Sequence, residues 1–149
     1  MVSSLQELWY YVARETLALP ALLGFGLRAE GRENVPQDGP TIVASNHQSF
    51  LDPVLIGVPI RSRPCHFLAR ETLFRPPVFG PLIRSVNAHP VRRGEVDRQA
   101  LKAMLQILRA GHLLVMFPEG TRTRNGQIGP LKPGVGTLAA KTDAWIVPT

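Results

Sequence analysis

The stretch "TIVASNHQSFLDPV", residues 41–54, decides how the rest of the chain folds. Its first four residues are too uniformly apolar for a strand with one wet face. Its last residues, Asp52-Pro53, suit the start of a helix, and a polar turn holding His47 and Asp52 lies between. A buried strand that turns directly into a helix is the repeating unit of an α/β sheet covered on its faces. The pattern recurs outward from this point. Short apolar runs at 66–69, 88–91, 113–117 and 145–147 read as further strands. Between them, "EVDRQALKAMLQILRAGH" places Ala100, Met104, Ile107 and Leu108 on one helical face, with Gly111 as a stop signal. Residues 133–142 read as another helix, and "ENVPQDGP" as a turn-rich connector inside the domain. The expectation is a single α/β domain over residues 28–149, with a mostly parallel or mixed central sheet covered by helices.

Composition limits what such a domain can do. The 149 residues are 44% hydrophobic and 19% charged, which supports one packed core and argues against disorder. The formal charge is +6, and eight arginines between positions 61 and 98 face only Glu71, Glu95 and Asp97. A basic band suits phosphate, whether on a nucleotide, a nucleic acid or a lipid headgroup. The single cysteine, Cys65, excludes an internal disulfide and fits a reducing compartment. The four histidines lack metal-ligand spacing, so neither a zinc site nor a resident cofactor is expected.

Residues 1–27 stand apart. "LQELWYYVARETLALPALLGFGL" is apolar and aromatic, but Arg14 and Glu15 interrupt it, and Pro20, Gly24 and Gly26 weaken it as a helix. Its unbroken apolar part falls short of the ~20 residues that a membrane-spanning helix needs. It lacks the basic start of a secretory signal. Trp9, Tyr10 and Tyr11 favour a lipid–water boundary, so the segment reads either as a helix lying on a membrane surface or as a helix packed on the core.

In open α/β sheets, ligands sit where strands end and the following loops diverge. His47 lies at such an end. Asp52 can be structural, as an N-cap before Pro53 or as a capping pair with Ser49. Within one helix, two residues five apart point roughly 140° away from each other. If the turn folds back instead, the carboxylate can accept from one ring N–H of His47 and leave the other nitrogen free as a base. A base so placed suits deprotonation of a hydroxyl. A second cluster, "VMFPEGTRTRNG" at 115–126, runs from a strand into Glu119, Gly120, Thr121, Arg122 and Arg124, with Lys132 on the loop that follows. Arginine offers a planar fork for phosphate oxygens; Arg122 and Arg124 taken alone read as solvated charges, and the strand end, Gly120, Glu119 and Lys132 beside them shift the reading to a phosphate site.

These residues carry a resemblance. "NHQSFLD" is similar to the first block of the glycerolipid acyltransferases, "VNAHPVRRG" to the second, "FPEGTR" to the third and "AWIVP" to the fourth, in the family's order over residues 41–148. The resemblance implies that His47 activates an acceptor hydroxyl for direct attack on the thioester of acyl-CoA or acyl carrier protein, with Asp52 orienting the ring. It implies that Glu119, Gly120, Thr121 and Arg122 hold the acceptor, with Arg93 and Lys132 assisting at its phosphate. Lysophosphatidic acid is the acceptor expected, giving phosphatidic acid. Glycerol 3-phosphate and other lysophospholipids are the alternatives. No acyl-enzyme is implied, so Ser45, Ser49 and Cys65 are expected to be structural, and no Gly-x-Ser-x-Gly elbow is present. Two positions depart from the pattern: Arg92 stands where many relatives carry an acid, and Asn87 where glycine is common. The chain stops at Thr149, just past the fourth block, which suggests a catalytic domain incomplete at its C-terminus.

A lysolipid substrate calls for a bilayer. Besides the N-terminal segment, "TLFRPPVFGPLIRSV" sets Phe74, Val78, Phe79, Leu82 and Ile83 between Arg75 and Arg84, which suits an interfacial element as well as core packing. Both segments are expected to lie on the cytoplasmic face of the membrane without spanning it. A competing possibility is a non-enzymatic basic module that binds phosphate or nucleic acid. Nucleic acid is not expected as a partner, because such a module has no use for an oriented His47–Asp52 pair and wants aromatic groups for stacking.

Overall fold

The computed structural model describes residues 4–92, 98–123 and 125–149. Five strands, β1 (Thr41–Ala44), β2 (Cys65–Arg70), β3 (Ala88–Val91), β4 (Leu113–Met116) and β5 (Trp145–Pro148), form one sheet in the order β3-β2-β4-β1-β5. Every pairing in it is parallel. The helices are α1 (Ser4–Phe25), α2 (Asp52–Gly57), α3 (Phe79–Ser85), α4 (Arg98–Arg109) and α5 (Gly134–Thr142). The five strand assignments made from apolar runs therefore hold to within one residue at each end, because strands covered on both faces leave continuous apolar runs.

Alternation along β1 and β4 splits the core between the two faces. Val43, Cys65, Leu113 and Val115 pack with Tyr10, Val35 and Ile60 on one side. Ile42 and Leu114 pack with Ile107 and Leu108 of α4 and with Val135 and Leu138 of α5 on the other. Burial of each such aliphatic side chain is worth about 1.5–3 kcal/mol, so these two layers carry most of the stability. The edges differ. β3 contains Pro90, which an edge strand tolerates, and β5 leaves Trp145 and Ile146 exposed.

α1 runs through Pro20 without ending. Packing overrides the low helix propensity there: Tyr10, Ala18 and Ala21 are buried, and the Tyr10 hydroxyl accepts the backbone N–H of Cys65 at 3.0 Å. The helix stops at Gly26, whose φ of 60° belongs to the left-handed region. Asn87 also has a left-handed φ, 62°, which explains why glycine suits that position and why asparagine can replace it.

Much of the basic band is structural. Arg63 is buried and donates to the carbonyls of Gly39 (2.7 Å) and Gly111 (3.0 Å), joining the turns before β1 and β4. Arg61 pairs with Glu15, Arg92 pairs with Glu71, and Arg84 lies 4.7 Å over the Phe74 ring. Charge counting read the band as suited to phosphate, whereas the chain uses Arg63 to fasten its own turns and engages Arg61, Arg84 and Arg92 with Glu15, Phe74 and Glu71.

Candidate active site

The central pair β1 and β4 leave the sheet in opposite directions, since β1 leads on to β2 and β4 leads on to β5. A crevice opens where such connections diverge. The turn after β1, residues 45–51, and the loop after β4, residues 117–133, meet in it.

His47 and Asp52 come together as the folded-back turn requires. Asp52 is the first residue of α2, with Leu51 rather than Asp52 at the cap. Its carboxylate points back over the turn, where Oδ2 accepts the backbone N–H groups of Gln48 (2.7 Å) and Ser49 (2.8 Å) and lies 2.8 Å from Nδ1 of His47. The Ser49 hydroxyl accepts the N–H of Leu51. Each side chain of the His47–Asp52 pair is 15% exposed. Partial burial pushes the Asp52 carboxyl up, but the Ser49 N–H, the His47 ring and the Gln48 N–H outweigh it and hold the acid below its ordinary value. Asp52 is thus a stable anion beside the ring. It favours the tautomer with hydrogen on Nδ1 and leaves Nε2 as the basic nitrogen.

The second cluster folds onto the first. Gly120 closes a turn by donating to the Phe117 carbonyl at 2.9 Å, with φ 68°. A Cβ at this glycine would lie 2.9 Å from Nζ of Lys132, so the lysine end rests against the turn. The Lys132 backbone N–H donates to the Pro118 carbonyl at 2.9 Å, which fixes that loop. The Arg122 guanidinium lies 3.4 Å over the ring of Phe50, in the His47–Asp52 turn. Thr121 is exposed next to it. Arg122 and Lys132 are therefore at the same edge of the sheet as His47. Arg93 and Arg124 lie outside the described residues.

Glu119 is only 3% exposed, and its Oε1 accepts the backbone N–H of His47 at 3.2 Å. The other oxygen, Oε2, is buried without a hydrogen-bond partner among the described residues. Two contacts escaped sequence reasoning. The Phe117 ring stacks on the imidazole of His47, with centroids 4.1 Å apart and planes 18° apart. The Thr123 backbone N–H donates to the His47 carbonyl at 2.9 Å. Periodicity marks Phe117 only as the last residue of an apolar run and Thr123 as a loop residue, so neither pattern pointed to the histidine.

Cys65 is fully buried, and burial pushes its thiol up to about 11, which keeps it from acting as a thiolate nucleophile at neutral pH. Among the described residues, no group of three or more histidine, cysteine or acidic side chains is placed to hold a metal ion. No described helix is long and apolar enough to cross a membrane.

The family model described as Acyltransferase matches residues 26–149. The chain is 31% identical to the 1-acyl-sn-glycerol-3-phosphate acyltransferase of Bacillus subtilis, over 83% of this chain and 61% of the relative. It is also 31% identical to a chloroplastic 1-acyl-sn-glycerol-3-phosphate acyltransferase of Arabidopsis thaliana, over 93% of this chain and 39% of the relative. The crystal structure of the 1-acyl-sn-glycerophosphate acyltransferase of Thermotoga maritima superposes with a TM-score of 0.68 at 30% identity, covering 89% of this chain and 55% of that one. The chain thus spans about two fifths to three fifths of the length of these relatives. With four sequence blocks in order, a parallel sheet that brings the first and third of them together at one edge, and a model match over most of its length, the chain belongs to the acyltransferase family.

Proposed function

We propose that the protein transfers a fatty acyl group from an acyl thioester, acyl-CoA or acyl carrier protein, to the free hydroxyl of lysophosphatidic acid, giving phosphatidic acid. One observation carries this assignment: the 2.8 Å contact between His47 Nδ1 and Asp52 Oδ2, at the sheet edge that also holds Arg122 and Lys132. The names of the relatives support the choice of acceptor.

Nε2 of neutral His47 takes the hydroxyl proton as the acceptor oxygen attacks the thioester carbonyl carbon. The C–O bond forms, the C–S bond breaks, and the thiolate leaves with the proton returned by the imidazolium. Asp52 holds the ring and stabilises the imidazolium. The acceptor phosphate meets Arg122 and Lys132 with help from Arg93, while Gly120 and Thr121 line its approach; Glu119, expected as a substrate contact, is buried and instead holds the His47 backbone N–H. Bidentate contact with the planar guanidinium fixes the phosphate and hence the reacting hydroxyl.

The substrate is a lipid, and the protein has apolar surface to meet it. Leu5, Leu8, Trp9, Val12, Leu19 and Leu23 are exposed along α1, and Val78, Phe79 and Leu82 are exposed in and beside α3. The indole N–H of Trp9 donates to the Ser85 hydroxyl at 2.8 Å, which joins the two helices. This surface binds the cytoplasmic leaflet peripherally, with Arg75 and Arg84 near its anionic headgroups.

The test is thiol release from a matrix of acyl-CoA and acyl carrier protein donors with lysophosphatidic acid, glycerol 3-phosphate and other lysophospholipids. Phosphatidic acid should form, and His47→Ala should lose at least about 100-fold in turnover, the ordinary worth of a general base. Unchanged turnover in that variant refutes the mechanism, and preference for a different acceptor refutes the substrate.

A further inference from the structure

The loop after β4 grips His47 at three separate points. Glu119 Oε1 accepts its backbone N–H at 3.2 Å, the Thr123 N–H meets its carbonyl at 2.9 Å, and Phe117 stacks on its ring. Each contact removes a different freedom. The two backbone hydrogen bonds fix where the side chain leaves the main chain. Asp52 then pins Nδ1. A ring held at one nitrogen can still swing about that contact, and the position of Nε2 follows the swing. The remaining motion is what a parallel aromatic face 4.1 Å away resists.

We propose that Phe117 is a positioning residue for the reaction: its ring sets the plane of the His47 imidazole so that Nε2 faces the acceptor hydroxyl. The proposal rests on His47 being the base. Phe117 itself touches neither substrate nor reacting atoms and acts through the histidine. It lies two residues before Glu119, and the Gly120 N–H donates to its carbonyl. The residue that orients the base and two of the residues proposed to take the phosphate, Arg122 and Lys132, therefore follow the same strand, and the Lys132 N–H to Pro118 carbonyl bond ties that loop together. Their relative placement is built in before either substrate binds.

The experiment compares wild type, Phe117→Leu, Phe117→Tyr, His47→Ala and the double variant, each corrected for folded fraction by thermal melting. Phe117→Leu keeps an apolar side chain in the core but removes the flat face. It should lower kcat by about 10-fold to 100-fold, the scale of a misplaced catalytic group, while the acceptor KM stays within about twofold. Phe117→Tyr keeps the face and should restore most of the rate. In the His47→Ala background, Phe117→Leu should add no further loss. A folded Phe117→Leu with full kcat, equal impairment of the Leu and Tyr variants, or a loss confined to KM overturns the proposal. Retained turnover in His47→Ala instead removes the base assignment on which it rests. If the leucine variant does not fold, the wild-type protein decides by NMR: a stacked His47 has ring protons shifted upfield by Phe117, and their absence from that region overturns the proposal.

Discussion

Asp52 has two duties that a single substitution can separate. In the proposed mechanism it orients His47, and it satisfies the two N–H groups of the turn before α2. Asn keeps a neutral acceptor for the turn but loses the charge that stabilises an imidazolium. Asp52→Asn should therefore melt close to wild type yet lose roughly 100-fold or more in kcat. Asp52→Ala should lose activity as well and, by leaving two turn amides unpaired, cost about 1–3 kcal/mol of stability. Denaturant unfolding of both variants, measured beside their turnover, checks the separation. The sequence offered the pairing of His47 with Asp52 but not the direction of the carboxylate, because Asp before Pro also suits a cap. Backbone geometry decides it: Leu51 takes the cap, so Asp52 is free to reach back.

At the scale of the element, α1 is apolar on two opposite sides. Tyr10, Ala18 and Ala21 face the core, while Leu5, Leu8, Val12, Leu19 and Leu23 form an exposed stripe. At 3.6 residues per turn these sets fall on opposite faces, so packing on the core leaves the second apolar face available for the proposed membrane contact. Both faces are present. The proposed membrane contact predicts that Leu8→Glu combined with Leu19→Glu weakens sedimentation with anionic liposomes at least tenfold, since each buried leucine is worth about 1.5–3 kcal/mol. The melting temperature should hardly move, because neither residue is in the core. Unchanged sedimentation would show that the stripe does not meet lipid. α3 was not legible as a helix, because prolines and glycine break its sequence. It forms against the preceding turn, where a Cβ at Gly80 would lie 2.3 Å from the Phe74 carbonyl oxygen.

For the whole molecule, acid is the sensitive direction. His66, His89 and His112 form a stacked row, with Nδ1 of His66 3.0 Å from Nε2 of His89 and ring centroids of 5.2 and 4.8 Å from His66 to its two neighbours. Burial, then the like charges that His112, His89 and Arg63 would present, push His66 down to about 3. In the unfolded chain it titrates near 6.5. Its folded value is the lower, so the unfolded state binds more protons between those limits. Stability is full above pH 6.5 and falls as pH drops toward 3. His66→Asn should flatten the dependence of melting temperature on pH between 6.5 and 4. An equally steep fall would place the acid sensitivity at another group, such as His89, which burial and Arg84 also hold below its ordinary value. The sheet was readable because each strand announces itself locally. The histidine row and the grip of the β4 loop on His47 join residues 23 to 76 positions apart, and no local pattern records them.

The bond from the Cys65 amide to the Tyr10 hydroxyl has a mechanical consequence. A hinged tether would let the catalytic edge drift at any height above a bilayer. If α1 makes the membrane contact proposed above, this bond ties it to the floor of the sheet, and the distance from the leaflet to His47 is set by the fold. Under the proposed activity, a hydroxyl would have to rise to that height out of the headgroup layer to be acylated, and altitude would become a criterion of substrate choice alongside charge.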